Sequence, residues 1–400
     1  MKNALMSGAA ALALLASAAA AEVSDGVVRI GVLGDRSGPF ADLSGEGSEI
    51  AARMATEDFG GTVLGKPIEI VAADHQNKPD IASNVAREWF DVGEVDMITD
   101  LGNSSVALAV QELARGEGKV NIVAGAGTTK LTGDACSPTG FHWVWDTHSQ
   151  SVGTAKAVLE GGGENWFFLT ADYSFGYSLE EQVTKVLAEG GGTVVGKVRH
   201  PLNSADLSSF LLQAQASGAS VVGLANAGAD TATSIKQAAE FGLAQTGQKL
   251  ASLLIFITDV DSIGLDQAQG LQLTTGFYWD QSEEARAFAT RFEAEKGAKP
   301  TAIQAGIYSA TLHYLKAVEA AGTDKGQAVA AAMRAAPVED FFARGGTVQA
   351  NGRMVYDLHL AEVKAPGESD GRWDYYKIVR SIPGREAFLT EAASGCAAVN

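Results

Sequence analysis

The sequence predicts an α/β protein built from two successive doubly wound halves with parallel sheets, followed by a helix-rich tail that ends in strands. Three observations predict it. From residue 27 to 145, short apolar runs alternate with stretches whose apolar residues recur at helical spacing, strand before helix. The same alternation restarts at Asp146 and runs to Leu271. Beyond Leu271 the order changes to long helices and then strands, as expected of a chain that recrosses between two lobes and completes each of them.

In the first half, residues 27–33 form a strand, 34–41 a long loop, and 44–59 a helix with Ile50, Ala51, Met54, Ala55 and Phe59 on its apolar face. Residues 67–74 are the next strand and 80–90 the next helix, capped by Asp80. The stretch 95–129 is the centre of this half. Its apolar runs 95–98 and 120–123 each lead into a small polar turn, Gly102-Asn103-Ser104-Ser105 and Gly125-Ala126-Gly127-Thr128-Thr129, at the carboxyl end of a buried strand. Val106, Ala109, Val110 and Leu113 follow helical spacing, so Asn103, Ser104 or Ser105 is a natural N-cap. A strand, a polar turn and a helix start together offer N–H groups and hydroxyls to an anion such as a carboxylate. The plainer reading, serines that only cap a helix, fits the same residues.

The second half reads as strand 165–170, turn 172–176, helix 178–189, strand 193–199 and helix 207–217. Residues 220–225, 231–241 and 253–258 continue as strand, helix and strand. The tail has helices at 283–296, 301–321 and 325–335, then hairpin-like strands at 354–360 and 373–378.

Residues 1–21 carry Lys2, an alanine-rich apolar run and Ala19-Ala20-Ala21 before Glu22, the pattern of a cleaved secretory signal peptide. No cysteine follows that site, so no lipid anchor is indicated, and no later stretch reaches the ~18 apolar residues of a membrane helix. The chain is therefore expected to be exported and free of direct membrane insertion. A net charge of −18 argues against nucleic acid and anionic membranes as partners, so an anionic ligand must be held by local groups. The two cysteines, Cys136 and Cys396, read most simply in an oxidising compartment as one disulfide pinning the tail to the body. Without histidine spacing around them they make a poor metal site, and no cofactor is expected.

Gly60 to Pro67 fits G-x-x-x-x-G-K but lacks the following Ser or Thr and precedes a strand, so it reads as a turn and not a phosphate loop. No nucleophile elbow, zinc-protease motif or dinucleotide fingerprint is present, and an enzyme is not expected. Two aromatic runs, 141–147 and 277–280, fall where one half hands over to the next and either fill the core or wall a cleft. Asp259 and Asp261 follow a predicted strand end and either face a ligand cation or metal or, the favoured reading, are solvated loop carboxylates, and the Asp74-His75-Gln76-Asn77-Lys78 loop either reaches the cleft or is an ordinary exposed turn.

The stretch IGVLGDRSGPFADLSGEGSEIAARMATEDFGG, the GNSS, GAGTTKLTG and TADYSFGYSL turns and the late recrossing resemble the periplasmic solute-binding proteins of branched-chain-amino-acid-type ABC importers, over essentially the whole mature chain. The resemblance implies two Rossmann-like lobes of the type I periplasmic binding protein fold, joined by a three-segment hinge. It implies a first lobe of residues 22–146 and 275–347, and a second of 147–274 and 348–400. It further implies a monomer in the periplasm that closes on a small carboxylate ligand and delivers it to an inner-membrane permease and ATPase. A sensory receptor on the same fold is the competing role. By the same resemblance Asn103, Ser104 and Ser105, then Ala126, Gly127 and Thr128, hold the carboxylate. Tyr173, Phe175 and Trp145 bury the apolar body, and Asn226 lies at the next strand end. The acid that takes an α-ammonium in amino-acid binders falls on Thr258, beside Asp259. An uncompensated ammonium is costly to bury, so either Asp259 moves into the role or the ligand has no ammonium. Relatives that bind benzoate- or cinnamate-type acids are also similar, and a hydrophobic or aromatic acid is favoured over a branched-chain amino acid.

Overall fold

The computed structural model describes residues 22–397. The signal peptide expected over 1–21 lies outside the described residues. β1 (Val28–Gly34), β3 (Lys66–Asp74), β4 (Met97–Asp100), β5 (Val120–Val123) and β6 (Gly140–His142) pair in parallel in the order β3-β1-β4-β5-β6, and β2 (Thr62–Val63) adds an antiparallel edge on β3. The helices α1 (Gly45–Phe59), α2 (Pro79–Asp91) and α3 (Ser104–Glu117) are the crossovers. The alternation of short apolar runs, wholly buried in β4, β5 and β6, with amphipathic stretches produces this arrangement, because the centre of a parallel sheet is covered on both faces. Pro79 opens α2, where its missing N–H costs nothing, so Lys78 is the N-cap and Asp80 sits in the first turn and not at the expected cap position.

The second lobe begins with α4 (Thr147–Gln150), a π turn at Ser151–Ala155 and α5 (Lys156–Glu160). Its sheet, β10-β9-β7-β8, comprises β7 (Asn165–Ala171), β8 (Thr193–His200), β9 (Val221–Ala225) and β10 (Lys249–Ser252), all parallel. The crossovers are α6 (Ser174–Glu189), α7 (Ser208–Ala216) and α8 (Ala229–Glu240). Two expectations fail here. The strand expected at 253–258 ends at Ser252, and α9 (Ile257–Ile263) starts within that range, its apolar residues being buried without pairing. Helix α6 also starts at Ser174, inside the expected 172–176 turn.

After α10 (Leu265–Ala268), β11 (Gln272–Thr275) leads back to the first lobe. There α11 (Glu283–Lys296), α12 (Ala302–Ala321) and α13 (Gly326–Ala335) pack on α1 and β5. A small sheet of β12 (Val338–Glu339), β13 (Arg344–Val348) and β14 (Met354–Val355) follows, and β15 (Leu358–Val363) and β16 (Tyr376–Ile382) then extend from β11. β14 pairs with β13, so residues 354–355 stay with the small sheet that follows α13, and that sheet lies on either side of the expected 347/348 boundary. The end of the tail also leaves the second lobe. Cys396 is disulfide-bonded to Cys136, and Ala350 N donates to Glu391 across the same seam. The last few described residues thus lie on the first lobe, against their expected assignment within 348–400.

Candidate functional site

In sheets of this kind ligands sit at the carboxyl ends of the strands, where the strand order reverses. In the first sheet that point lies between β1 and β4, and in the second between β7 and β9. The two points face each other across a narrow cavity between the lobes. Ser44, Gly102, Ser104 and Gly125 to Gly127 line it on the first-lobe side, with Phe40, Leu43 and Ile303. Tyr173, Phe175, Ala227, Leu254 and Phe256 face them from the second lobe, and Trp145 stands at the hinge.

Asn103 is extended (φ −118°) and its side chain accepts the N–H groups of Ser105 and Val106, so it is the N-cap that frees the next residue for other work. Ser104 Oγ accepts Thr128 N at 3.3 Å, which ties the two polar turns together. Ser104, Ala126 and Gly127 are buried, and among the described residues their backbone N–H groups have no hydrogen-bond partner. Trp145 Nε1 is buried and equally unpartnered. Buried donors left unpaired are costly, and those of Ser104, Ala126 and Gly127, on two polar turns tied to each other, can receive an oxygen-bearing anion. A Cβ on Gly127 would sit 2.1 Å from the Trp145 ring and one on Gly125 would sit 2.7 Å from Gly102 Cα, so this close approach requires glycine.

The remaining wall is aromatic. Phe175 meets Trp145 edge-on at 5.8 Å, Tyr173 packs on Phe175 at 5.9 Å, and Phe256 meets Trp145 at 6.2 Å. Burial, with a smaller contribution from Asp230, pushes the Tyr173 hydroxyl well above its ordinary range, so it serves as a neutral group. Among the described residues, no charged side chain lines the cavity.

The structure separates the remaining expected residues from the cavity wall. Asp259 lies in the first turn of α9, and its Oδ2 accepts Phe256 N at 2.8 Å. Burial pushes its carboxyl up to about 7, and it does not line the cavity. Asp261 is held by Arg372 and Tyr375. Asn226 is spent on His200, Ser234 and Thr231 and fixes the turn that presents Ala227. Thr128 caps the following 3₁₀ turn, and Ser105 Oγ meets Ser174 Oγ at 3.1 Å across the lobes. In the Asp74–Lys78 loop, Asn77 joins Asp35 to Asn103 and buttresses the first polar turn from behind. Phe40, Leu254 and Phe256 were not foreseen. Phe40 sits in the loop after β1, whose strand-end position was the available signal.

The lobes are closed in this structure, since Ala229 N also donates to Pro39 O across the cleft at 3.3 Å. The hinge is tied by the buried Arg353, whose guanidinium donates to the carbonyls of Trp143 (2.6 Å), Trp145 (3.2 Å) and Met354 (2.9 Å) and lies 3.7 Å from Asp146. Tyr356 Oη donates to Val144 O at 2.8 Å.

A family model described as periplasmic binding protein matches residues 27–372. A periplasmic binding protein of known structure from Burkholderia mallei is 48% identical, with a TM-score of 0.91 over 93% of this chain and 99% of its own. A branched chain amino acid ABC transporter periplasmic ligand-binding protein from Burkholderia xenovorans is 40% identical, with a TM-score of 0.83 over 93% and 100% of the two chains. By sequence, Leu/Ile/Val-binding protein homolog 6 of Brucella melitensis is 27% identical over 338 residues, 82% of this chain and 84% of that relative.

Proposed function

The chain belongs to the periplasmic binding protein family, and from that footing we propose that it captures a hydrophobic or aromatic carboxylic acid between its lobes and delivers it to an ABC import permease and its ATPase. It is a binding protein and not an enzyme. The observation that carries the ligand class is a cavity walled by Phe40, Trp145, Tyr173, Phe175 and Phe256, with unpartnered donors on its wall and, among the described residues, no acid lining it. A carboxylate finds donors in Ser104 N–H, Gly127 N–H, Ser104 Oγ and Trp145 Nε1, and the rings bury its body. An α-ammonium finds no counter-charge, which disfavours a zwitterionic amino acid. A ligand bridging both lobes binds the closed state better than the open one and so shifts the population toward closure. The protein acts as a monomer in the periplasm.

The second reading, a branched-chain amino acid, is favoured by the names of the Burkholderia xenovorans and Brucella relatives. A thermal-shift series on the mature chain separates the two readings, because a ligand bound only by the folded state raises the melting temperature. The expected outcome is a shift with benzoate-type acids and none with leucine, isoleucine or valine. A shift with the amino acids alone replaces the first reading with the second.

A further inference from the structure

Behind the cavity wall stands a buried acid that the proposed binding scheme does not use. Asp100 ends β4 fully buried, and neither of its carboxyl oxygens completes a hydrogen bond among the described residues. The backbone that carries it toward the cavity is left-handed at two successive non-glycine residues, Asp100 (φ 78°) and Leu101 (φ 55°). Such a conformation is costly and persists only where the surroundings impose it. Glycines surround the carboxyl group. A methyl group on Gly34 would sit 2.4 Å from Oδ2, and one on the cavity-lining Gly125 would sit 3.1 Å from Oδ1. One on Gly102 would lie 3.3 Å from Ser44 Oγ and 3.9 Å from Asp100 Oδ1, so that hydroxyl and that acid share the ground directly behind the cavity wall.

The groups facing Asp100 are few. From α1 and its N-cap come the hydroxyls of Ser48, itself unpartnered, and Ser44. From the loop after β1 come Asp35, whose carboxylate accepts Gly38 N, Phe40 N and Asn77 Nδ2, and, with a weaker influence, Arg36. His75, at the end of β3, faces Asp35 and Asp74 instead. The turn after β5 and the start of α3 hold no charged residue.

Ser44 Oγ donates in this structure only a long bond, 3.4 Å to Phe40 O, and by turning from it toward Asp100 the hydroxyl has two modes. Against an ionised Asp100 its O–H is drawn to the acid and only lone pairs are left for the cavity. Against a protonated Asp100 it accepts the acid's proton and its own O–H is free for a ligand oxygen. We propose that Asp100 carries a proton whenever a carboxylate occupies the cavity, and that capture of an anionic ligand above neutral pH takes up one proton from solvent at Asp100. The inference rests on the carboxylate reading given above. Burial pushes the Asp100 carboxyl up to about 7, Asp35 adding to the rise against Ser48, Ser44 and Arg36. A second negative charge in the cavity raises it further.

Titration calorimetry of the mature chain with benzoate at pH 8, in phosphate and in Tris, tests this. In the wild type the apparent enthalpies differ by the heat of transferring close to one proton, and affinity falls about tenfold per pH unit above neutrality. Asp100→Asn, which mimics the neutral acid, keeps binding but shows no buffer dependence and a flat pH profile. Benzyl alcohol, a neutral analogue, takes up no proton in the wild type, a comparison that stands if the variant does not fold. Tight benzoate binding without proton uptake overturns the coupling alone. Binding of neither benzoate nor leucine between pH 5 and 8 overturns the carboxylate reading, and the coupling with it.

Discussion

Gly127 shows how much of the site depends on one missing methyl group. It lies on the cavity wall and beneath the Trp145 ring, where a Cβ would fall 2.1 Å from a ring carbon. Gly127→Ala must push the indole aside, taking Nε1 from its place and breaking the edge contact with Phe175. The expected result is an affinity loss of about 1–3 kcal/mol from overpacking, measured by calorimetry, with a smaller fall in melting temperature. A variant that binds as the wild type does would remove Trp145 from the ligand wall. At this scale the sequence was unevenly legible. Asn103 could be read as one of three N-cap candidates because capping follows local rules. Asp259 was read as a carboxylate able to reach the cleft, but α9 begins at Ile257, which turns the acid back onto Phe256 N. Spacing along the chain does not record that reversal.

Among the elements, the hinge depends on a residue that no local sequence signal marks. Arg353 follows the β13–β14 turn and reaches back to the strand-end carbonyls of Trp143 and Trp145, so the first and third crossings are clamped by one guanidinium. Burial lowers its ionisation to about 10, with Asp146 and Tyr356 opposing, so it stays charged at neutral pH. Arg353→Ala leaves two hinge carbonyls and Asp146 without their partner. It is expected to cost about 3–5 kcal/mol in chemical denaturation, with ligand affinity reduced through a looser hinge. A variant within 1 kcal/mol of wild type would show that Tyr356 alone holds the segment. The order of strands and helices was legible because burial imposes a period of two or of 3.6 on the side chains. The run 253–258 misled because an apolar stretch buried as coil and helix start has the composition of a buried strand. Contacts between residues two hundred apart leave no local period, and Arg353 belongs to that class.

For the whole molecule, the buried acids set how stability follows pH. Burial pushes Asp96 up to about 6, and Asp100 and Asp259 up to about 7. A carboxyl raised on folding holds its proton where the unfolded chain has already lost it. The stability it contributes is full below its unfolded value and is lost as pH rises through the folded one. Other acids act in the opposite sense. Asp58, Asp74, Asp261 and Asp374 are lowered by their partners in spite of burial, and the stability they contribute disappears only when pH falls below the ordinary carboxylate range. Just above the ordinary carboxylate value, at about pH 4 to 4.5, both sets favour the fold. The ligand-free chain is therefore expected to be most stable near pH 4.5 and to lose on the order of a few kcal/mol by pH 8. Thermal melts at constant ionic strength check this. Asp100→Asn and Asp259→Asn should each flatten the decline between pH 4.5 and 7, because each replaces an acid that must ionise in the interior. A melting temperature that rises from pH 5.5 to 8 would mean that these carboxyls already reach solvent in the ligand-free chain, as they would if the cleft opened wide enough to wet the strand ends behind it.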